Sequence, residues 1–119
     1  MKYTIADGAL TVADDSGNEL WKGRPEGHPV EWVTSVPEQA DAIVMYHYYC
    51  PKRPYGGFNN LVRIHPDGSI VWRAALPQSD DKYTFAALDS TKLIASSWNG
   101  FRVEIDLETG KITSQEFTK

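Results

Sequence analysis

The sequence predicts an all-β protein made of antiparallel four-stranded meanders packed face to face, and three observations carry that prediction. The first is an internal repeat: Leu10 to His47 lies over Leu61 to Trp98 at a constant offset of 51 residues with no gap. Leu10, Gly17 and Trp21 fall on Leu61, Gly68 and Trp72, Trp32 falls on Tyr83, and Ala42-Ile43 falls on Leu93-Ile94. Apolar and aromatic positions that keep register over such a window mark a repeated structural unit. The second is turn chemistry, because Pro66-Asp67-Gly68, Glu108-Thr109-Gly110 and Ser16-Gly17 each separate two short β-prone runs, and glycine accepts the positive φ of a hairpin turn. The third is alternation: Phe101, Val103, Ile105 and Leu107 alternate with Arg102, Glu104 and Asp106, the pattern of a strand with one wet face.

In chain order these signals place a lone hairpin at 9–22, then a blade-like repeat at 32–74 and a second at 83–116, all within a single all-β domain spanning 1–119. The first repeat has strands at about 32–36, 42–49, 61–65 and 69–74, and the second at about 83–88, 92–98, 101–106 and 111–116. The segment from Pro37 to Tyr46 is the best helical candidate, but its Ile43-Val44 run and its copy in the second repeat favour a turn followed by a strand.

The stretch from Leu93 to Ile112, LIASSWNGFRVEIDLETGKI, resembles the blade signature of quinoprotein-type β-propellers, in which a strand, an Asn/Asp-Gly turn, a strand ending in Asp and a Thr-Gly-Lys turn follow in order. The resemblance covers two blades and the outer half of another, from about Leu10 onward, and implies an incomplete propeller. The chain departs from the family in having too few blades to close a ring, in placing Thr113-Ser114 where the other copies have tryptophan, and in offering no set of quinone-cofactor ligands. The expected cofactor complement is none, and propeller blades serve many roles.

Composition narrows the function classes. The 119 residues carry a formal charge of −4, which argues against nucleic-acid binding, since phosphate neutralisation needs clustered Lys and Arg. A lone cysteine, Cys50, excludes an internal disulfide and fits a reducing compartment. With no secretory leader and no apolar run near the ~20 residues of a spanning helix, the expectation is a cytoplasmic chain away from membranes.

One segment stands out. His47 to Asn60, HYYCPKRPYGGFNN, concentrates aromatics, Cys50, two prolines, two glycines and a Lys-Arg pair in an acidic chain. In a meander the loop after the second strand and the loop leaving the fourth lie at one end, so this segment is expected to share an end with 23–31, 75–82 and Asn99-Gly100. The second repeat makes the same connection with Asn99-Gly100 alone, so the extra length is not demanded by the fold, and loops carry function on a fixed scaffold. Replacing 50–60 by Asn-Gly is accordingly expected to leave the fold standing. Tyr and Arg are enriched at interface hot spots, which makes Tyr49, Arg53, Tyr55 and Phe58 the expected anchors, with Glu26, Asp80 and Asp81 as an acidic rim facing a basic partner. The competing reading makes Tyr48, Tyr49 and Phe58 hydrophobic cover for a blade edge.

Other chemistry is weaker. Cys50 with His47 and Asn59 contains the residue types of a thiol catalyst, but strand alternation sends His47 and Cys50 to opposite sides. His28, His47 and His65 are too far apart in sequence for the short-spaced pair of a zinc site. Asp14-Asp15 and Asp80-Asp81 read as solvated turn acids, and Trp32 and Trp98 as packing between blades in preference to ligand stacking. The function expected from sequence is therefore a non-catalytic protein-binding module. Its most specific form is a small bacterial immunity protein that blocks a toxin with a basic domain, an overall resemblance in length, acidity and loop character that no motif carries. The alternatives are a small-ligand binder or enzyme with its pocket at the long-loop end, and a self-assembling subunit in which two copies pair as a homodimer.

Overall fold

The structure, a computed structural model, describes residues 1–51 and 56–118. Its strands among those residues are β1 (Lys2–Ala6), β2 (Ala9–Ala13), β3 (Glu19–Gly23), β4 (Val30–Ser35), β5 (Ala42–Tyr46), β6 (Leu61–Ile64), β7 (Ile70–Arg73), β8 (Tyr83–Asp89), β9 (Lys92–Ser97), β10 (Phe101–Ile105) and β11 (Ile112–Phe117). They form three antiparallel sheets ordered β1-β2-β3, β4-β5-β6-β7 and β8-β9-β10-β11. The four-stranded meanders are those expected from the repeat. The N-terminal hairpin, by contrast, gains a third strand, because Tyr3 and Ile5 join Val12 and Leu10 on one face of the first sheet.

Two apolar layers hold the sheets face to face. Leu10 and Val12 of the first sheet pack with Ala42, Val44, Val62 and Ile64 of the second, and Tyr3 and Trp21 close the rim. On the other face of the second sheet, Ile43, Met45, Leu61 and Trp72 meet Ala86, Leu93, Ala95 and Val103 of the third. The alternation of a strand buried on both faces explains why β5 and β6 read as continuous apolar runs.

At the short-turn end the repeat reuses one device. Trp21 lies on Gly68 in the turn of the second sheet, and Trp72, its copy 51 residues on, lies on Gly110 in the turn of the third. A Cβ at either glycine would come within 2.7 Å of the indole, so the side chain's absence is what lets the ring seat. The Trp72 indole N–H also donates to the Leu107 carbonyl at 2.8 Å. Buried Arg63 donates to that same carbonyl (2.8 Å), to Asp41 (2.9 Å) and to Gln39 (2.5 Å), and His65 meets the second oxygen of Asp41 at 2.9 Å. A buried guanidinium is tolerable only when its donors are satisfied in this way.

Bulges punctuate the sheet edges. An extra residue interrupts the pairing at Leu20 in β3, Glu31 in β4, Val71 in β7, Thr84 in β8 and Thr113 in β11. The bulged position explains the exposure of Leu20 and Val71, large apolar residues that a regular strand would have turned toward a neighbour.

Candidate binding site at the long-loop end

The far end of the sheets gathers the connections that the sequence places together. The 3-10 turn Pro25–Gly27 leads into β4, where His47 N–H to Pro29 O (3.0 Å) extends the β4–β5 pairing and two backbone bonds tie neighbouring sheets, Val30 N–H to Gly8 O (2.8 Å) and Phe58 N–H to Asp81 O (3.0 Å). Gly57 permits the last of these. A Cβ on it would lie 2.0 Å from the Ser79 carbonyl oxygen, so only glycine lets this leg of the loop press against 78–81.

Beneath the loop, Asn60 is fully buried and joins two sheets. Its amide nitrogen donates to the carbonyls of Tyr46 (3.0 Å) and Tyr83 (2.7 Å), and its oxygen accepts from Tyr83 N–H (2.8 Å). Asp81, also fully buried, accepts through one carboxylate oxygen from the N–H groups of Lys82 (2.9 Å) and Asn99 (3.0 Å), while its second oxygen has no hydrogen-bond partner among the described residues. Asn59 donates to Ala74 O at 2.9 Å. Burial pushes the hydroxyl of Tyr83 up, with the charge of Asp81 adding to it, and burial followed by Glu26 does the same for Tyr46.

The expected contact residues divide. Tyr49 is 52% exposed, as a surface anchor requires. Arg53 and Tyr55 lie outside the described residues. Phe58 corrects the expectation: at 6% exposure it is a core residue, packed with Tyr46 and His28 at ring distances of 6.2 and 4.8 Å. Asp81 corrects it too, because a buried, backbone-bonded carboxylate is not a rim charge. Glu26 is committed internally, accepting from Tyr46 Oη (3.1 Å) and Arg73 (2.6 Å), which also holds the Arg73 guanidinium above its ordinary pKa. Glu26 and Asp80 are both exposed, but only Asp80 is lightly held, 3.3 Å from Asn99 Nδ2. Removing 50–60 would therefore delete Cys50, Phe58 and Asn60 from the interior, and the expectation that such a variant keeps its fold is withdrawn. Cys50 itself sits in the apolar layer at 4% exposure.

The structure adds a surface that sequence reasoning placed elsewhere. Trp98, expected between blades, is 51% exposed. Its ring stacks on Tyr48 (5.4 Å, 26°), which stacks in turn on His47 (4.6 Å, 26°). The Lys82 ammonium lies over both Trp98 and Tyr48, 5.1 and 5.6 Å from the ring centres, a cation–π arrangement. The signal in the sequence was position: Trp98 precedes Asn99-Gly100, and turn-flanking side chains at a blade end face solvent as readily as the interior.

Cavities are modest at this end. Glu26 and His28 border recesses of 190 and 260 Å³, one floored by Phe58 and Asn59 and the other by Cys50 and Pro51. A larger cleft of 390 Å³ opens at the short-turn end between the second and third sheets, lined by Val36, Gln39, Thr91, Glu104, Leu107 and neighbours.

With this geometry in view, the comparisons are informative about architecture. The model of a family described as "Domain of unknown function (DUF7957)" matches residues 29–117. The chain belongs to the DUF7957 family. The matched span takes in β4 to β11 and leaves the first sheet outside. No curated protein matches the chain. Among solved structures, it is similar to the computationally designed Ika8 protein (TM-score 0.63, 15% identity, covering 96% of this chain and 32% of that one). It is also similar to BamB from Moraxella catarrhalis (0.63, 14%, 98% and 32%) and to the WD40 domain of Neurospora crassa Pan2 (0.61, 19%, 97% and 32%). At such identities the likeness establishes the fold: stacked antiparallel sheets of the β-propeller blade type, without ring closure. The chain spans about a third of the length of each of these structures.

Proposed function

We propose that this DUF7957 chain is a non-catalytic protein-binding module that engages its partner through the long-loop end. The observation that carries the reading is the Tyr48–Trp98–Lys82 stack with Tyr49 beside it, large aromatic surface held at half exposure on a base fixed by Gly57, Asn60 and Asp81. Aromatic anchors on a rigid support are what protein interfaces use, because little side-chain freedom is lost when they are covered. The small-ligand alternative is less well supported here, since the recesses at this end are small and one is floored by the packed ring of Phe58.

The narrower reading, an inhibitor that covers a basic toxin domain, is supported by the formal charge of −4 and by exposed Asp80. The internal commitments of Glu26 and Asp81 remove two of the three acids that motivated it. Affinity capture with the intact chain, run beside a Tyr49→Ala/Trp98→Ala variant, tests the general reading. A protein retained by the parent and lost from the variant supports it, whereas equal retention by both places the contact elsewhere on the molecule.

A further inference from the structure

The second and third sheets carry opposite charges at matching positions. Ile43 of β5 pairs with Arg63 of β6, and Ile94 of β9, its copy 51 residues on, pairs with Glu104 of β10. By the same offset Asp41 falls on Lys92. In the second sheet the two charges are joined, Arg63 Nε lying 2.9 Å from Asp41 Oδ2 with both side chains largely enclosed. In the third sheet the signs are exchanged and the bond is not made, because the ion pairs among the described residues include neither Lys92 nor Glu104. A carboxylate standing where the second sheet has a guanidinium calls for a donor from elsewhere.

Glu104 and Lys92 both border the 390 Å³ cleft at the short-turn end, a volume within the ~300–1,000 Å³ of ligand pockets. Its lining joins Val36, Ile105 and Leu107, buried or half-buried, to the carboxylates of Glu104, Asp106 and Glu108, which outnumber the Lys92 ammonium three to one. Gln39, on the same border, commits its side-chain oxygen to Arg63. One oxygen of Asp106 accepts from Glu108 N–H at 2.8 Å, while its second oxygen and the carboxylates of Glu104 and Glu108 make no hydrogen bond among the described residues. The acids do not converge as metal ligands do: Glu104 lies in β10, Asp106 and Glu108 lie in the connection after it, and no three such groups among the described residues come together around one point. Spread carboxylates beside apolar side chains suit an elongated cation better than a compact ion, since methylenes and charge then each find their own surroundings.

We propose that this cleft binds an aliphatic organic cation, an alkylammonium or alkylguanidinium group whose charge is met by Glu104, Asp106 and Glu108 while its methylenes lie on Val36, Ile105 and Leu107. A free amine and the Lys or Arg side chain of a peptide present the same chemistry. Lys92 opposes the ligand's charge and holds the affinity down. The cleft lies at the opposite end of the sheets from the exposed stack at Trp98, and either proposal can fail alone.

The diamine cadaverine and a blocked Ala-Arg-Ala tripeptide serve as probes, each titrated into the intact chain and followed by the shifts of its backbone amides in NMR spectra. Saturable shifts centred on Thr91, Lys92 and Glu104 to Glu108 are expected, with a Kd on the order of 1 mM for so small a ligand, weakening severalfold as salt rises from about 20 to about 200 mM. Saturation by the amine alone identifies a free cation as the ligand and by the tripeptide alone a partner's side chain, and either outcome, or both, supports the proposal. The neutral counterparts, pentanediol and the citrulline tripeptide, should bind at least about tenfold more weakly. Glu104→Gln combined with Asp106→Asn, which keeps an acceptor for the Glu108 N–H, should weaken binding about tenfold, whereas Lys92→Gln removes the opposing charge and should strengthen it about threefold. The Tyr49→Ala/Trp98→Ala variant should bind the probes as the parent does. The proposal is overturned if neither probe saturates below about 20 mM, if the neutral counterparts bind equally well, if the shifts centre on another part of the molecule, or if Lys92→Gln leaves the affinity unchanged or lowers it.

Discussion

The two ends of the stacked sheets are built by different rules. At the short-turn end, Trp21 on Gly68 and Trp72 on Gly110 are one contact made twice, in the register of the repeat. At the other end nothing repeats: two flanking sheets turn with Asp7-Gly8 and Asn99-Gly100, while the middle one spends the whole of His47 to Asn60 on the same step. What is duplicated serves stacking, which each sheet needs equally. What occurs once, namely Asn60, Asp81 and the Tyr48–Trp98–Lys82 stack, is free of that requirement, and it is there that the proposed contact surface lies.

The comparison breaks most visibly at the repeated contact. Trp72→Ala removes a buried indole and its bond to Leu107, and should cost about 3 to 5 kcal/mol in urea unfolding. Gly110→Ala introduces a Cβ against the same ring at a φ of +75° and should cost about 1 to 3 kcal/mol. A loss below about 1 kcal/mol for Trp72→Ala would mean that the short-turn end is not what holds the sheets.

Next in size is Asn60→Ala, which strands one N–H and two carbonyls in the interior and should cost about 2 to 3 kcal/mol, against about 1 for its neighbour Asn59→Ala. Equal losses would show that the junction beneath the loop is not specific to Asn60.

Alkaline pH probes both regions together. Tyr3, at the first two sheets' junction, is pushed up from 10.0 to about 12 by burial and then by Asp41, and Tyr46 and Tyr83 are raised further for the reasons given above. The folded state thus holds these protons more tightly than the unfolded chain. Their contribution is complete below pH 10 and is lost as pH rises through the folded values, so the urea midpoint should be level near neutrality and fall above about pH 10. Tyr46→Phe should flatten part of that fall.

The smallest effect on stability belongs to the exposed patch. Tyr49→Ala and Trp98→Ala should each change unfolding by less than about 1 kcal/mol, yet weaken capture of a partner at least about tenfold. A reversal, with stability lost and binding kept, would turn the aromatic stack into structural cover.

Much of the architecture was legible because its signals are local: period-two alternation in β10, turn glycines, and a repeat that keeps register from Leu10 onward. β1 was missed because the extra residues between β5 and β6 break the offset, so that Lys2–Ala6 no longer falls on Ala42–Tyr46 by simple shift. The site was legible as a place more than as a list. Phe58 has the chemistry of an anchor, but His28 and Tyr46, remote in sequence, bury it. Of the pair Asp80-Asp81, which looks uniformly solvated, chain reversal before β8 turns one carboxylate out and the other in, and composition does not distinguish them.

The middle sheet takes part in both apolar layers, through Val44 and Val62 on one side and Ile43 and Leu61 on the other, whereas each outer sheet contributes to a single layer. A stack held by neighbour contacts opens at the layer that costs least. An outer sheet detaches by breaking one interface, and the middle one is released only when both are gone. Fraying therefore runs inward from the two outer sheets, and the loop from His47 to Asn60 springs from the strands that come apart last.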